Sequence, residues 1–290
     1  MAEERPEPSA LVEEQPKAAS RNQPDDSHLL TARSGRIKAA RRLADRRSRR
    51  ELGRFLVEGP QVLAEAYAVP GAVEEVYSTP AAAERYAGLR AASPVQWQLA
   101  DERAVASLAD TVTPTGVVAV CRSGFVTDLA GQIAPDADLI VLCADVRDPG
   151  NAGTIIRTAD AAGADLVQLA GQSVDVGNPK AVRATAGSLF HLPVTEPEAT
   201  VADTIAGWRA DGWAVLAADG GGEVDLFEAD DLLRGRTVWL LGNEAWGLPA
   251  ETAALADHRV RIPILGRAES LNLAAAAAVC LYATARAQRS

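Results

Sequence analysis

Aromatic side chains are scarce in this chain, 4% of 290 residues, so a core must be built mostly from aliphatic and Ala packing. Cysteine is rare too: Cys121, Cys143 and Cys280 stand far apart, with neither CxxC nor metal-ligand spacing. Cys143 falls in an apolar strand pattern and Cys280 in an Ala-rich helix, so the thiols read as inert core residues. An odd cysteine count without an export signal points to the reducing cytoplasm. The N-terminus has no basic segment followed by an apolar one, so no secretory leader is expected. The longest apolar run, 271–283, is too short and too rich in Ala for a membrane span, which takes about 20 apolar residues.

Other absences bear on chemistry. The formal net charge of −10 excludes a uniformly basic coat for nucleic acid but leaves room for a local basic face. Gly150-Asn151-Ala152-Gly153 has the wrong spacing for G-x-G-x-x-G, and no Walker A sequence occurs. Nicotinamide and nucleoside-triphosphate chemistry therefore have no support. No His/Cys/carboxylate cluster carries metal-ligand spacing, so no metal is expected.

What is present is globular. Apolar residues make up 48%, and the length allows one large domain or two of ordinary size. Residues 1–28, rich in Glu, Pro and polar groups, read as a disordered tail. Residues 33–54 then hold ten Lys and Arg against two acidic residues, with Ile37, Leu43 and Leu52 giving a helix a weak apolar face. Strands at 55–57, 73–77 and 117–120, with helices at 61–68, 80–90 and 101–109, make 29–121 a small α/β unit. Residues 122–136, with Gly124, Gly131 and Pro135, read as a linker. In 137–290 the apolar strands 139–142, 166–169, 213–216, 238–241 and 260–262 alternate with helices at 152–162, 179–187, 200–209 and 271–287. Continuous apolar strands between helices predict a parallel sheet covered on both faces.

Three stretches of this second part share a strand–loop–helix grammar. They are Asp148-Pro149-Gly150-Asn151-Ala152-Gly153-Thr154-Ile155-Ile156-Arg157, Leu241-Gly242-Asn243-Glu244-Ala245-Trp246-Gly247-Leu248, and Ile262-Pro263-Ile264-Leu265-Gly266-Arg267-Ala268-Glu269-Ser270-Leu271-Asn272. Loops that follow parallel strands gather at one edge of the sheet, where ligands bind. Taken singly, each polar residue has a plain structural role. Asn151 reads as an N-cap for 152–162, Arg157 as a solvated helix residue, and Glu244 as a first-turn dipole partner. Ser270 reads as the N-cap of the last helix and Asn272 as a first-turn residue. Their joint occurrence argues for one composite site.

Together these stretches resemble the three sequence motifs of the SpoU (TrmH-type) family of RNA 2′-O-ribose methyltransferases, within the SPOUT superfamily. They stand in family order, and the intervening stretch from Ser173 to Val194 is similar as well. The basic first unit, whose first strand ends Phe55-Leu56-Val57-Glu58-Gly59, resembles the family's ribosomal-protein-like substrate domain. The departures are Ala245 where Gly is usual, Ile264 where Met is common, and Ala274 where small polar residues occur.

The resemblance implies S-adenosylmethionine as methyl donor, a trefoil-knotted parallel-sheet domain, and a homodimer acting on structured RNA. It ranks rRNA ahead of tRNA and an enzyme ahead of a non-catalytic RNA-binding relative. It places Leu241, Gly242, Asn243, Ile262, Ile264 and Leu271 around the cofactor, and Asn151, Arg157, Glu244, Ser270 and Asn272 in the reaction site. Arg36, Lys38, Arg41, Arg46, Arg47 and Arg50 would grip RNA phosphates. A guanidinium is essentially always protonated, which favours Arg157 as an electrostatic stabiliser or phosphate anchor over a literal base. The target nucleotide, and whether one or two protomers build the site, stay open.

Overall fold

A computed structural model describes residues 29–124 and 134–290; the expected tail and most of the expected linker lie outside the described residues. The described residues fall into two compact units, one made of residues 29–124 with Gly177–Phe190 added, the other of residues 134–176 and His191–Ser290.

The first unit begins with α1 (Gly35–Arg41), a 3-10 turn (Arg42–Ala44) and α2 (Arg46–Leu52). The basic segment is thus two short helices. Asp45 takes an extended backbone, and its carboxylate accepts the amide proton of Ser48, capping α2. Gly53, at φ 60°, ends α2 in the left-handed region that glycine enters without strain. Ile37, Ala40 and Leu43 form the buried stripe, whereas Leu52, expected on it, is 41% exposed. After β1 (Arg54–Glu58) come α3 (Pro60–Tyr67), β2 (Val73–Ser78), α4 (Pro80–Arg85), α5 (Ala87–Ala91), β3 (Trp97–Leu99), α6 (Glu102–Ala106) and β4 (Val117–Arg122). Their sheet has the order β1-β4-β2-β3, antiparallel except for the parallel β2–β3 pair. Three-residue β3 is too short to show a periodic pattern. Its Trp97 is buried, and the indole N–H donates to the Tyr67 hydroxyl at 2.9 Å.

The second unit opens with β5 (Leu139–Ala144), α7 (Pro149–Ala162) and β6 (Leu166–Ala170). The next helix, α8 (Pro179–Ala184), belongs to the first unit and packs on β1, with the rings of Phe55 and Phe190 stacked 6.4 Å apart. It stops at 184 instead of 187 because Ala186 and Gly187 take left-handed φ values of 52° and 106°. There follow β7 (Val194–Thr195), α9 (Val201–Ala210), β8 (Ala214–Ala218), β9 (Val224–Asp225), α10 (Asp230–Leu233), β10 (Thr237–Leu241), α11 (Ala250–Ala253), β11 (His258–Arg261) and α12 (Leu273–Gln288). The seven strands are all parallel, in the order β7-β6-β5-β10-β8-β11-β9.

Both sheet faces are covered, as the apolar runs predict. Ile140, Leu142, Val238 and Leu240 pack with Ile205 of α9 and Trp213. On the neighbouring strand position, Trp239 is fully buried and its indole N–H donates to Thr284 of α12 at 2.9 Å. Full burial of an aliphatic side chain such as Ile140 or Leu240 contributes about 1.5–3 kcal/mol. The three thiols are buried, and burial pushes Cys143 and Cys280 up to about 12 and Cys121 higher still. As the sequence predicts, they are core residues with little thiolate character at neutral pH.

Candidate active site

The first unusual geometry lies where β5 ends. From β5 the chain crosses to β6 on one side, while β10 flanks β5 on the other. The crevice outside the carboxyl ends of β5 and β10 is therefore a topological switch point, the favoured ligand position in a parallel sheet. Asp145 turns the chain there with φ 58°, a conformation that Asp tolerates better than most residues.

Three loops meet at this edge. Asp148, not Asn151, is the N-cap of α7: its carboxylate accepts the Asn151 amide proton at 2.8 Å, and Pro149 fills the first helical position. Asp followed by Pro is a helix-start signal, since proline's missing N–H costs nothing there. Asn151 thus sits inside the first turn with its side chain available. Its Oδ1 accepts a hydrogen bond from Asn272 Nδ2 at 3.1 Å. Asn272, not Ser270, is the N-cap of α12, and its Oδ1 accepts from the amides of Ala274 and Ala275. One asparagine therefore caps one helix and reaches the start of another. Glu244 joins the second loop to the first. Its carboxylate accepts the backbone N–H of Asp148 at 2.9 Å and of Arg147 at 3.3 Å. Glu244 therefore lies outside any first turn of its own and places its charge at the amino end of α7, where the helix dipole favours it.

The remaining expected residues are placed more variously. Asn243 is buried, donating to the Asp145 carbonyl at 2.7 Å and accepting from the Ala245 amide at 2.8 Å. Its backbone exchanges hydrogen bonds with Gly247, both at 2.9 Å. Its polar groups hold the loop. Leu241 is fully buried at the end of β10. A Cβ on Gly242 would stand 2.5 Å from the Gly247 carbonyl carbon, so glycine is needed there for the loop to close on itself. Ile262 is half-buried, whereas Ile264 and Leu271 are 38% and 41% exposed in the loop that ends at Asn272. Ser270 is exposed in the same loop. Arg157 is exposed on α7 and has no hydrogen-bond or ion-pair partner among the described residues. At about 100° per residue it points some 120° around the helix from Asn151, so the two share a solvent side but do not stack.

In the first unit, Arg36, Lys38, Arg41, Arg46, Arg47 and Arg50 are all exposed on α1 and α2. Arg49 differs from them. It is buried, and its guanidinium donates to the carbonyls of Leu43 and Ala44 at 2.9 and 2.8 Å, tying α2 to the preceding turn. Sequence reasoning missed Asp148 as the cap and Asp145 as the turn.

Two family models match the chain: the SpoU rRNA Methylase family over residues 138–282, and the MRM3-like substrate binding domain over 35–119. The chain is 29% identical to the 23S rRNA (guanosine(2553)-2′-O)-methyltransferase of Bacillus subtilis, over 88% of this chain and 97% of that protein. It is 42% identical to the 23S rRNA (uridine(2479)-2′-O)-methyltransferase of Streptomyces viridochromogenes, over 48% of this chain and 49% of that one. Among solved structures, the SpoU methyltransferase AviRb of Streptomyces viridochromogenes, crystallised with AdoMet, aligns with a TM-score of 0.77 at 32% identity over 89% of this chain and 99% of that one. The family match spans all three loops that Asn151, Glu244 and Asn272 draw together, and by sequence and fold alike the chain belongs to the SpoU rRNA methylase family.

Proposed function

We propose that this protein transfers a methyl group from S-adenosylmethionine to a ribose 2′-hydroxyl of 23S rRNA. The observation that carries the reading is the Asn272–Asn151 hydrogen bond, which with the Glu244 contacts gathers the three motif loops at the switch point of the sheet. The rRNA names of the relatives and the match of residues 35–119 to a substrate-binding domain support RNA, and rRNA ahead of tRNA.

The residues present fit the cofactor. Exposed apolar Ile264 and Leu271 share a loop with polar Ser270 and Asn272, the mixed ground that an adenosyl group with an amino-acid tail requires. Ile262, Ile264 and Leu271, with the backbone around Leu241 and Gly242, would hold it, and Asn243 would shape the loop. When bound, S-adenosylmethionine supplies an activated methyl group. The protein then has to seat the ribose O2′ in line and stabilise the charge it gains on losing its proton. Alignment alone can contribute about 7–11 kcal/mol. Asn151, Ser270 and Asn272 orient the ribose, Glu244 fixes the loop that bears Asp148, and the Arg157 guanidinium stabilises the developing alkoxide. Arg36, Lys38, Arg41, Arg46, Arg47 and Arg50 hold RNA phosphates. The reading includes a cytoplasmic setting, and the trefoil knot and homodimer that the resemblance implies. Among the described residues, no helix is long and apolar enough to cross a membrane.

The test offers purified protein and radiolabelled S-adenosylmethionine to unmodified 23S rRNA and to bulk tRNA, and maps any 2′-O-methyl formed. Transfer to one 23S nucleotide is expected. Transfer to tRNA alone would move the substrate class, and cofactor-independent RNA binding without transfer would make the protein a non-catalytic relative.

A further inference from the structure

Trp246 is set apart by its surroundings. Of five tryptophans, Trp97, Trp213 and Trp239 are buried and Trp208 is half-buried, while Trp246 is 54% exposed. A single exposed apolar residue is ordinary. Its mounting is not. The Arg147 guanidinium carbon lies 5.1 Å from the ring centroid, a cation–π arrangement that covers part of the indole. The two residues stand on different loops that Glu244 fastens together through the amides of Arg147 and Asp148. The Trp246 loop is further closed by the Asn243–Gly247 bridge and by the Asn243 side chain. Ring and guanidinium are thus held beside the Asp148–Asn151 start of α7, and little freedom remains to be lost when something binds them.

We propose that Trp246 and Arg147 form a stacking platform that receives an unstacked base of the substrate RNA beside the ribose to be methylated. The inference rests on the function proposed above. A 2′-hydroxyl that must enter a protein crevice in line with a methyl donor requires its nucleotide to leave the A-form stack. Unstacking costs free energy, and an aromatic face returns it. A planar guanidinium stacks on a base as well, and can turn to a phosphate. Every base has a π-face, so the platform strengthens binding without choosing among bases.

The experiment uses the full chain with in-vitro-transcribed 23S rRNA, and compares Trp246→Leu, Trp246→Phe and Arg147→Ala with the parent. Trp246→Leu keeps apolar bulk and removes the π-face. It is expected to raise the RNA KM about tenfold, the scale of losing one stacked base, with S-adenosylmethionine affinity unchanged by calorimetry. Trp246→Phe should recover most of the loss, and the position of the methyl should not move in any variant. In a second readout, pentauridylate should quench a component of the intrinsic fluorescence that Trp246→Leu lacks. An RNA KM unchanged in Trp246→Leu overturns the platform, as does a loss of activity that light scattering traces to a change in oligomeric mass. If the parent methylates no RNA, the function proposed above fails, and pentauridylate quenching still decides whether Trp246 receives a base.

Discussion

Arg157 and Gly242 mark two ways in which one residue can matter. Arg157 is exposed and makes no partner among the described residues, so the fold has no use for its charge. Arg157→Ala should melt at the parent's temperature and bind S-adenosylmethionine normally. Single-turnover methyl transfer should nevertheless fall at least about a hundredfold, the scale of losing one well-placed electrostatic donor. Arg157→Lys should rescue poorly, since a point charge does not replace a planar fork. Near-normal turnover in the Ala variant would remove Arg157 from the mechanism. Gly242 is the opposite case. The space that its missing side chain leaves is taken by the backbone of Gly247 and Leu248. Gly242→Ala should therefore lower stability by about 1–3 kcal/mol, as overpacking does, and weaken the cofactor only as a consequence. Unchanged denaturant unfolding with lost cofactor affinity would show instead that the glycine faces the ligand directly.

At the scale of elements, α1 and α2 divide their arginines between two tasks. Arg36, Lys38, Arg41, Arg46, Arg47 and Arg50 point to solvent, while Arg49 ties α2 to the carbonyls of the preceding turn. Replacing Arg46, Arg47 and Arg50 by Ala should flatten the dependence of RNA affinity on salt and leave cofactor binding intact, because each lost phosphate contact removes about one counterion released. A slope unchanged in filter-binding titrations would return these side chains to a solvated surface. Arg49→Ala should act on stability instead, because two carbonyls lose their donor, at about 1–3 kcal/mol. The sequence marks the basic run but not this division. Which face of a short helix is buried depends on what packs against it, and neighbours distant in sequence supply that.

For the whole molecule, the buried thiols link stability to pH. A free thiol titrates near 9.0, whereas burial raises Cys143 and Cys280 to about 12. A raised folded-state value means that the unfolded chain loses its proton first. The contribution is thus fully present below about pH 9 and is lost as pH rises toward 12. Melting temperature should fall between pH 9 and 10.5, and Cys280→Ala should show a shallower fall than the parent. Equal slopes would place the alkaline loss elsewhere. Under native conditions at neutral pH the thiols should resist aromatic disulfide reagents, because they are both buried and protonated.

The linear chain by itself determined the parallel architecture. Five apolar runs separated by helical patterns admit little else, because a strand apolar throughout must be covered on both faces. It also determined that Asn151, Glu244, Ser270 and Asn272 follow strands, and so stand at one edge of the sheet. Only the tertiary structure decided what those groups do to one another. Asp148 takes the cap that Asn151 was expected to provide, which frees Asn151 to accept from Asn272, 121 residues away. Glu244 reaches amides 96 and 97 residues before it. The indole of Trp246 meets Arg147 across the same gap between loops. A hydrogen bond needs its donor and acceptor within about 3.5 Å and in line, and no pattern of residue types along a chain specifies that meeting. The strand order does, by setting the ends of β5 and β10 side by side.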